Sequence, residues 1–259
     1  MAARTQMVER KLGGLSHASK AYHDGDFLSL QLVNPTAGLF AGDSLEIDLS
    51  IGERANVSLT SPSATRFHTM GEGEHSDFIQ RVVVGEQAVL DYWPEMVIAQ
   101  RGATVHQSTM VQLAADARMV LLDSLAPGRI AHGENNAYRK YRNGFDIKVG
   151  ERLIARERME LMPVDGDWQL LAPDWKQCYI ASVWCFDQEC VQHDSEFERE
   201  IRALALEEGC LCAYSDLGEG LAVVRVLAEN SVNFRRILDC VREVALKHIV
   251  RYPIQFRKL

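Results

Sequence analysis

The sequence lacks several features that define large classes of proteins. No apolar run approaches the roughly 18 residues of a membrane-spanning helix, and the N-terminal segment MAARTQMVERK has no apolar signal core. The net charge of −8 disfavours binding to nucleic acid. Six cysteines in 259 residues do not suggest the disulfide framework of a secreted chain. The sequence therefore predicts a cytoplasmic protein that contacts neither a membrane nor nucleic acid.

Motifs of common enzyme classes are missing as well. A P-loop requires a Gly-Lys dipeptide followed by Ser or Thr, and the chain has no Gly-Lys. It also has no nucleophile elbow of the form G-x-S-x-G. None of the eight histidines has a partner at the H-x-H or H-x-x-x-H spacing of a preformed metal site. The sequence therefore predicts no catalytic residue and no stable metal site.

The cysteines leave one metal alternative open. A zinc site would have to draw on Cys185, Cys190, His193, Cys210 and Cys212. Their spacing, C-x4-C-x2-H followed by C-x-C, fits no common zinc pattern. Cys210 and Cys212 share one face of a predicted strand, where cysteine usually packs as a small apolar side chain. We therefore favour apolar packing over structural zinc.

A loose repeat dominates the first part of the chain. Each repeat alternates strand-forming residues on both sides of a short polar turn, which predicts a hairpin. The repeats are 49–60, 82–93, 111–122 and 147–158. The residues that align are Ala55, Ala88, Ala117 and Leu153, at spacings of 33, 29 and 36 residues. Units of about 30 residues that cannot bury their own apolar face stack on their neighbours. We predict a mainly β fold, either a β-helix-like stack or a conventional sandwich.

The last third of the chain changes to an α+β pattern. A strand at 177–186 is followed by a helix that begins at Ser195, with Glu198 completing a capping box. Gly209 is predicted to occupy the C′ position, just beyond the end of this helix. Its apolar stripe consists of Phe197, Ile201, Leu204 and Ala205.

A hairpin and a second helix complete this pattern. The helix begins at Asn230 or Ser231, and its inward face consists of Ile237, Leu238, Val241, Ala245 and Ile249. The sequence thus predicts a stacked β region at 1–175 and a β-α-β-β-α portion at 176–259. The proline-containing segment 161–175 is the predicted joint.

Two glycine-containing segments stand apart from the repeats. The first, NPTAGLFAGDS at 34–44, contains Gly38 and Gly42, and Asp43 follows directly. An acid there would repel a phosphate, so Asp43 is either a turn residue that accepts nearby amides or a carboxylate that faces a hydrated interior. His68 ends the hydroxyl-rich strand SATRFH and is the histidine most suited to a role beyond packing.

The second segment, LAPGRIAHGE at 125–134, brackets an arginine and an acid with Gly128 and Gly133. Arg129 either forms an ion pair across the loop, with Glu134 or Asp123, or lines a polar channel together with these carboxylates. Buried charges persist only when they are paired or hydrated.

These segments together resemble the urease accessory protein family UreD, also called UreH. The resemblance rests on 34–70, on VLDYWPEMVIAQRGA at 89–103, on LLDSLAPGRIAHGE at 121–134 and on the final helix at 234–250. It runs in the same order from about residue 18 to the C-terminus. The chain departs from the family where the upstream pair of the glycine turn reads Ala37-Gly38, where Ala41 replaces another glycine, and at Thr65-Arg66, where a lysine is more usual.

The resemblance implies a β-helix-like stack of strands with two helices, and a protein that is not an enzyme. It also implies binding to a second accessory protein of the UreF type, which recruits a GTPase of the UreG type to apo-urease. Nickel released by the GTPase would pass through a water-filled passage in this chain. Ni²⁺ would then be a transient cargo, and no cofactor would be tightly bound.

Single carboxylates suit such a passage. Ni²⁺ lies near the top of the divalent affinity order for N and S ligands, so clustered His or Cys residues would retain it. We predict that the route is lined or guarded by Asp43, His68, Asp123 and Glu134. Arg129 would organise the acids, and the supporting motif residues are Gly38, Gly42, Arg66 and Gly133.

Two other functions remain open on the residues alone. The chain could be a scaffold that only joins other proteins. It could also be a metal-dependent hydrolase that uses Asp43, His68 and Glu134, which would require the three side chains to converge within metal-ligand distance. The residues do not distinguish urease from a related nickel enzyme as the client.

Overall fold

The computed structural model describes residues 4–166, 169 and 171–254. The strands of this part of the chain are β1 (His17–Ala18), β2 (Tyr22–Asp24), β3 (Phe27–Val33), β4 (Ser44–Ile51), β5 (Asn56–Thr60), β6 (Thr65–Phe67), β7 (Ser76–Val84), β8 (Val89–Trp93), β9 (Val97–Ala99), β10 (Thr104–Leu113), β11 (Arg118–Ala126), β12 (Lys140–Val149), β13 (Arg152–Leu161), β14 (Tyr179–Phe186), β15 (Cys210–Asp216) and β16 (Leu221–Ala228). Among the described residues they form a large sheet of eleven strands and a small sheet of five, and the two sheets enclose an interior.

Successive strands wind around this interior. In the small sheet β4, β7 and β10 pair in parallel, and each leads through a polar turn into β5, β8 and β11 of the large sheet, which also pair in parallel. Ala55, Ala88 and Ala117 stack at the three turns, where the amide of Val89 donates to Ala55 and the amide of Arg118 donates to Ala88. This β-solenoid-like stacking confirms the predicted mainly β, stacked architecture.

Three of the four predicted hairpins are wrong. In the repeat at 49–60, for example, β4 and β5 lie in different sheets and do not pair with each other. The reason is that the apolar pattern continues through the turn. Ile51 before the turn lies in the small sheet and Leu59 after it lies in the large sheet, and both are buried in the interior between the two sheets. Each strand then takes its hydrogen-bond partner from the next repeat. Only the fourth repeat is a hairpin, formed by the antiparallel β12 and β13.

The C-terminal part has the predicted β-α-β-β-α order. The helices are α1 (Glu196–Arg202) and α2 (Ser231–Ala245), and α2 continues into a π-helical turn at Leu246–Val250. Both helices begin where the sequence predicts, because the side chain of Ser195 accepts the amide of Glu198 and that of Asn230 accepts the amide of Asn233. All five residues of the predicted inward face of α2 are buried.

The first helix is shorter than predicted. It ends at Arg202 with Ala203 as its C-cap, so Leu204 and Ala205 lie beyond it, and Gly209 is not at its C′ position. Gly209 adopts a φ of 75° at the entry to β15, where its carbonyl accepts the amide of Glu229. The pairing of β15 with β16 dictates this result, since the chain needs the residues after Arg202 to reach the start of β15.

Strands from both predicted parts of the chain share one sheet, because β14 pairs with β11. The predicted joint at 161–175 includes residues 167, 168 and 170, which lie outside the described residues, and its described part contains a 3₁₀ turn at Pro163–Asp165. None of the described helices is long and apolar enough to cross a membrane.

Apolar side chains form three clusters. One lies between the large sheet and the helices and includes Phe234 and Val241 of α2. The other two lie between the sheets. The first surrounds the stacked turns and includes Ala88, and the second includes Leu39 and Phe67 near the opposite end of the strands.

Candidate functional site: a polar layer between the sheets

A layer of polar side chains separates the two apolar clusters of the interior. We call this layer the polar belt; it consists of Gln80, Tyr92, Gln107, Thr109, Asp123, Tyr141 and Asn143. The parallel register of the small sheet creates it, because Gln80 lies beside Thr109, and Gln107 lies beside Asn143. Stacked strands thus place inward-facing amides next to one another.

Asp123 is the acid of the polar belt. Its carboxylate accepts hydrogen bonds from Gln107 Nε2 at 2.8 Å and from Asn143 Nδ2 at 2.5 Å. The hydroxyl of Tyr141 donates to Gln107 Oε1 at 2.8 Å, which fixes the orientation of that amide. The side-chain oxygen of Asn143, Oδ1, is also buried and has no hydrogen-bond partner among the described residues.

A second set of hydrogen bonds extends the belt toward β8. The hydroxyl of Tyr92 donates to Gln80 Oε1 at 2.9 Å, and Gln80 Nε2 donates to Thr109 Oγ1 at 3.1 Å. Burial and the charge of Asp123 raise the pKa values of Tyr92 and Tyr141. Both phenols therefore remain neutral donors.

Asp123 faces a cavity of about 130 Å³. Both sheets line it, with Leu45, Phe78 and Gln107 from the small sheet and Tyr92 and Asp123 from the large sheet. A water molecule takes about 30 Å³ of the liquid, so several would fit this volume beside polar partners. The cavity is therefore able to hold several water molecules.

A second cavity, of about 210 Å³, lies on the opposite side of the large sheet and is bounded by α2. The residues that line both cavities are Ser61, Pro94, Glu95, Leu122 and Ser124. These residues surround the break between β8, which ends at Trp93, and β9, which begins at Val97. The break is the place where the two cavities adjoin.

The polar belt controls the charge of its acid. Burial raises the pKa of Asp123 above its ordinary value, against the opposing effects of the hydrogen bonds from Gln107 and Asn143 and of the charge of Arg225. Arg225 is itself held by Ser182 and Glu157. The belt thus presents one carboxyl group among neutral donors and acceptors.

Asp43 occupies a tight turn. Its Oδ2 accepts the amide of Phe40 at 2.8 Å, as expected for a turn residue. The preceding Gly42 has a φ of 80°, and its amide donates to the carbonyl of His75. The turn therefore connects the Gly-Asp motif to the segment that enters β7.

Arg129 and Glu134 form the ion pair that the sequence leaves as one of two possibilities. Arg129 Nε and Nη2 donate to the two carboxylate oxygens of Glu134 at 2.9 and 2.6 Å, and the amide of Arg101 adds a third bond at 3.3 Å. This pairing lowers the pKa of Glu134. Gly133, with a φ of 71°, ends the 3₁₀ turn at Ile130–His132 within the same loop.

Gly38 fits where a side chain could not. A Cβ at this position would lie 2.6 Å from the carbonyl oxygen of Arg66 and 3.0 Å from the ring of His68, and its φ of 142° also favours glycine. His68 stacks on Phe40 with ring centroids 4.3 Å apart. The first motif therefore packs directly on the SATRFH strand.

Only one of the four predicted route residues faces a cavity described above. Asp123 lines the first cavity, whereas in the described part of the chain Asp43, His68 and Glu134 line neither. The roles of all four in an ion route remain predictions.

Sequence reasoning missed one group of side chains. Among the described residues, the His, Cys, Asp and Glu side chains close enough to share an ion are His75, Asp77 and His106, whose ligand atoms all lie within 4.8 Å of one another. The repeat carries the signal that could have found them. The 29-residue offset between Ala88 and Ala117 also connects Asp77 to His106, which are paired in the sheet.

The cysteines considered for zinc are not part of this group. Cys185 is fully buried, and burial raises its pKa. Burial also raises the pKa of Cys212 to about 11. Both thiols therefore remain protonated near neutral pH, which agrees with the apolar packing predicted from the sequence.

A family model for the UreD urease accessory protein matches residues 2–258. The chain belongs to the UreD family of urease accessory proteins. This confirms the resemblance seen in the sequence. Family members are accessory to urease and are not urease itself.

Several relatives named urease accessory protein UreD cover most of the chain. The one from Opitutus terrae is 32% identical over 249 residues, which are 94% of this chain and 89% of the relative. The one from Herpetosiphon aurantiacus is 33% identical over 211 residues, which are 78% of this chain and 72% of the relative. The one from Dechloromonas aromatica is 37% identical over 235 residues, which are 88% of this chain and 79% of the relative.

Proposed function

We propose that this chain is a nickel-delivery chaperone for apo-urease and that the ion passes through the polar belt beside Asp123. Membership of the UreD family supports urease as the client. The observation that carries the route is the carboxyl group of Asp123, which is held by neutral amides and lines the cavity between the two sheets.

The chemistry of the belt suits an ion that must leave again. Ni²⁺ binds nitrogen and sulfur ligands tightly, whereas the belt offers one carboxylate and amide oxygens, including the Oδ1 of Asn143, which has no partner in the described part of the chain. Such a set attracts a divalent cation by charge but provides few strong bonds. The ion would keep most of its hydration water and move on.

The proposed partners divide the remaining tasks. The chain contains no Gly-Lys dipeptide and hence no P-loop, so a separate GTPase of the UreG type would supply nucleotide hydrolysis. A UreF-type accessory protein would join that GTPase to this chain. The assembled complex would then dock on apo-urease in the cytoplasm.

Two interior variants test the route. Asp123→Asn removes the charge with almost no change of shape, and Ser61→Trp fills the position where the two cavities adjoin. We expect both variants to co-purify with the accessory proteins and apo-urease, but to lower the nickel content and activity of urease at least about tenfold. Ser50→Trp, on the exposed face of β4, is the size-matched control and should leave loading unchanged.

The same assay separates delivery from scaffolding. If both interior variants load nickel as well as the unmodified chain, the protein is a scaffold and the route is wrong. Asp43→Ala and Glu134→Ala extend the assay to the other predicted acids, with reduced loading and an intact complex as the expected result.

A hydrolase finds no support in the geometry. Among the described residues Asp43, His68 and Glu134 do not form a group that could share an ion, and the carboxylate of Glu134 is occupied by Arg129.

A further inference from the structure

Two histidines and one aspartate meet on the outer face of the small sheet. His75 directly precedes β7, Asp77 lies within it, and His106 of β10 is the register partner of Asp77. The carboxylate of Asp77 is 3.7 Å from His75 Nε2 and 3.9 Å from His106 Nδ1. The two imidazole rings stack with centroids 4.4 Å apart.

These distances suit one metal ion. Two ligand atoms that are each about 2.1 Å from an ion are at most about 4.2 Å apart. Both carboxylate-to-imidazole distances are within this limit, and the whole set lies within 4.8 Å. The side chains of His75 and Asp77 are 46% and 41% exposed, so a small rotation is sufficient to close the set without disturbing the core.

The backbone of this segment is held firmly. The amide of Gly42 donates to the carbonyl of His75 at 2.9 Å, and the amide of Asp77 donates to the carbonyl of Asp43 at 3.0 Å. Between them, the hydroxyl of Ser76 donates to the carbonyl of Phe40. The Gly-Asp turn thus positions two of the three side chains at the start of β7, beside β10, which carries the third.

Neighbouring charges leave room for a cation. Arg142 is the register partner of His106 on the next strand, but its guanidinium pairs with Glu160 at 2.8 Å, and Lys140 pairs with the same carboxylate at 3.3 Å. The chain as a whole carries a net charge of −8. Two imidazoles with one carboxylate form a donor set typical of first-row divalent ions, with further positions left for solvent.

We propose that His75, Asp77 and His106 form a surface site for a divalent transition metal ion of the Ni²⁺, Cu²⁺ and Zn²⁺ class. The site lies on the outside of the small sheet, whereas the polar belt lies inside it. It therefore holds or fails independently of the route proposed above.

Titration calorimetry with Ni²⁺, and separately with Zn²⁺, tests the site on the full chain. We expect one equivalent of metal to bind, and the variants His75→Ala, His106→Ala and Asp77→Asn each to weaken binding at least about tenfold. His23→Ala on β2 and Glu151→Gln in the β12–β13 turn are exposed controls of matched chemistry and should bind like the unmodified chain.

Equal binding by cluster and control variants, or no binding by the unmodified chain, would overturn the proposal. A second measurement avoids substitution altogether. Paramagnetic Ni²⁺ added to the unmodified chain should broaden the ring resonances of His75 and His106 before those of His23; uniform broadening would contradict the site. Neither experiment depends on urease, so the result is distinct from that of the nickel-loading assay.

Discussion

The two faces of the large sheet bury their side chains in different ways. Against α2 the packing is mostly apolar, with Phe234 and Val241 fully buried, although the second cavity borders the same helix. Against the small sheet, apolar clusters are interrupted by the polar belt and its cavity. Helices pack on a sheet through interlocking side chains. Parallel strands of successive repeats instead place residues at corresponding positions side by side, where their side-chain amides can form hydrogen bonds with neighbouring polar groups.

The acids on the two faces differ accordingly. On the helix side Asp91 is fully buried, and its carboxylate accepts hydrogen bonds from Arg242 and Ser58 at 2.7 Å each. The guanidinium of Arg242 therefore balances its charge. On the interior side the direct partners of Asp123 among the described residues are the neutral amides of Gln107 and Asn143, and Asp123 lines the first cavity. A closed ion pair is typical of structure, whereas a lone carboxyl beside a cavity is a candidate for function.

The largest expected effect tests whether the helix side is the apolar, stabilising core. Phe234→Ala removes a fully buried ring from α2 and should lower the free energy of unfolding by about 3–5 kcal/mol. Val232→Ala, on the exposed face of the same helix, should change it by less than about 0.5 kcal/mol. Urea unfolding measures both, and a similar loss in the two variants would contradict the comparison.

A medium effect is expected at the stacked turns of the interior. Ala88→Leu adds volume at a position that is completely buried between Ala55 and Ala117, and should cost about 1–3 kcal/mol. Leu153→Ala alters the aligned position of the fourth repeat, which is 39% exposed on a hairpin, and should cost about 0.5 kcal/mol or less. An equal loss of unfolding free energy in the two variants, measured by urea unfolding, would contradict the distinction between the stacked turns and the exposed hairpin.

The smallest effect is a change in pH dependence. Burial raises the pKa of Asp123 in the folded chain above the unfolded value of about 3.9. The folded chain therefore binds this proton more tightly, and the resulting stability is present at low pH and declines as the pH rises from about 4 through the folded pKa.

Asp123→Asn should remove that decline. The difference in urea midpoint between the variant and the unmodified chain, measured from pH 4 to pH 7, isolates this group because all other carboxyls are common to both. A difference that does not vary with pH would show that Asp123 is not shielded from water, and would weaken the contrast between the two faces of the sheet.

Much of the architecture was predictable from local patterns. The starts of both helices followed from Ser195 and Asn230, and the recurring alanines marked the repeating unit while leaving a stack and a sandwich open. The partner of each strand was not predictable in this way, because the same alternation fits a hairpin and a turn between two sheets. The end of α1 was missed for a similar reason, since the pairing of β15 with β16 decides where the helix must stop.

The candidate sites were predicted less completely. Asp123 was identified through its motif, but the amides that hold it lie on other strands and have no motif of their own. His75 and His106 are 31 positions apart, too far for any short metal-binding pattern. Combining the histidines with the repeat offset would have placed His106 beside Asp77.

The sequence by itself determined the family, the mainly β composition, the stacking unit and the helix starts, because these depend on motifs, alternation and caps within short segments. Only the tertiary structure decided which strands pair, where the interior is polar and which distant side chains share a surface. These features depend on the parallel register between repeats, and register is set by the packing of all the strands together.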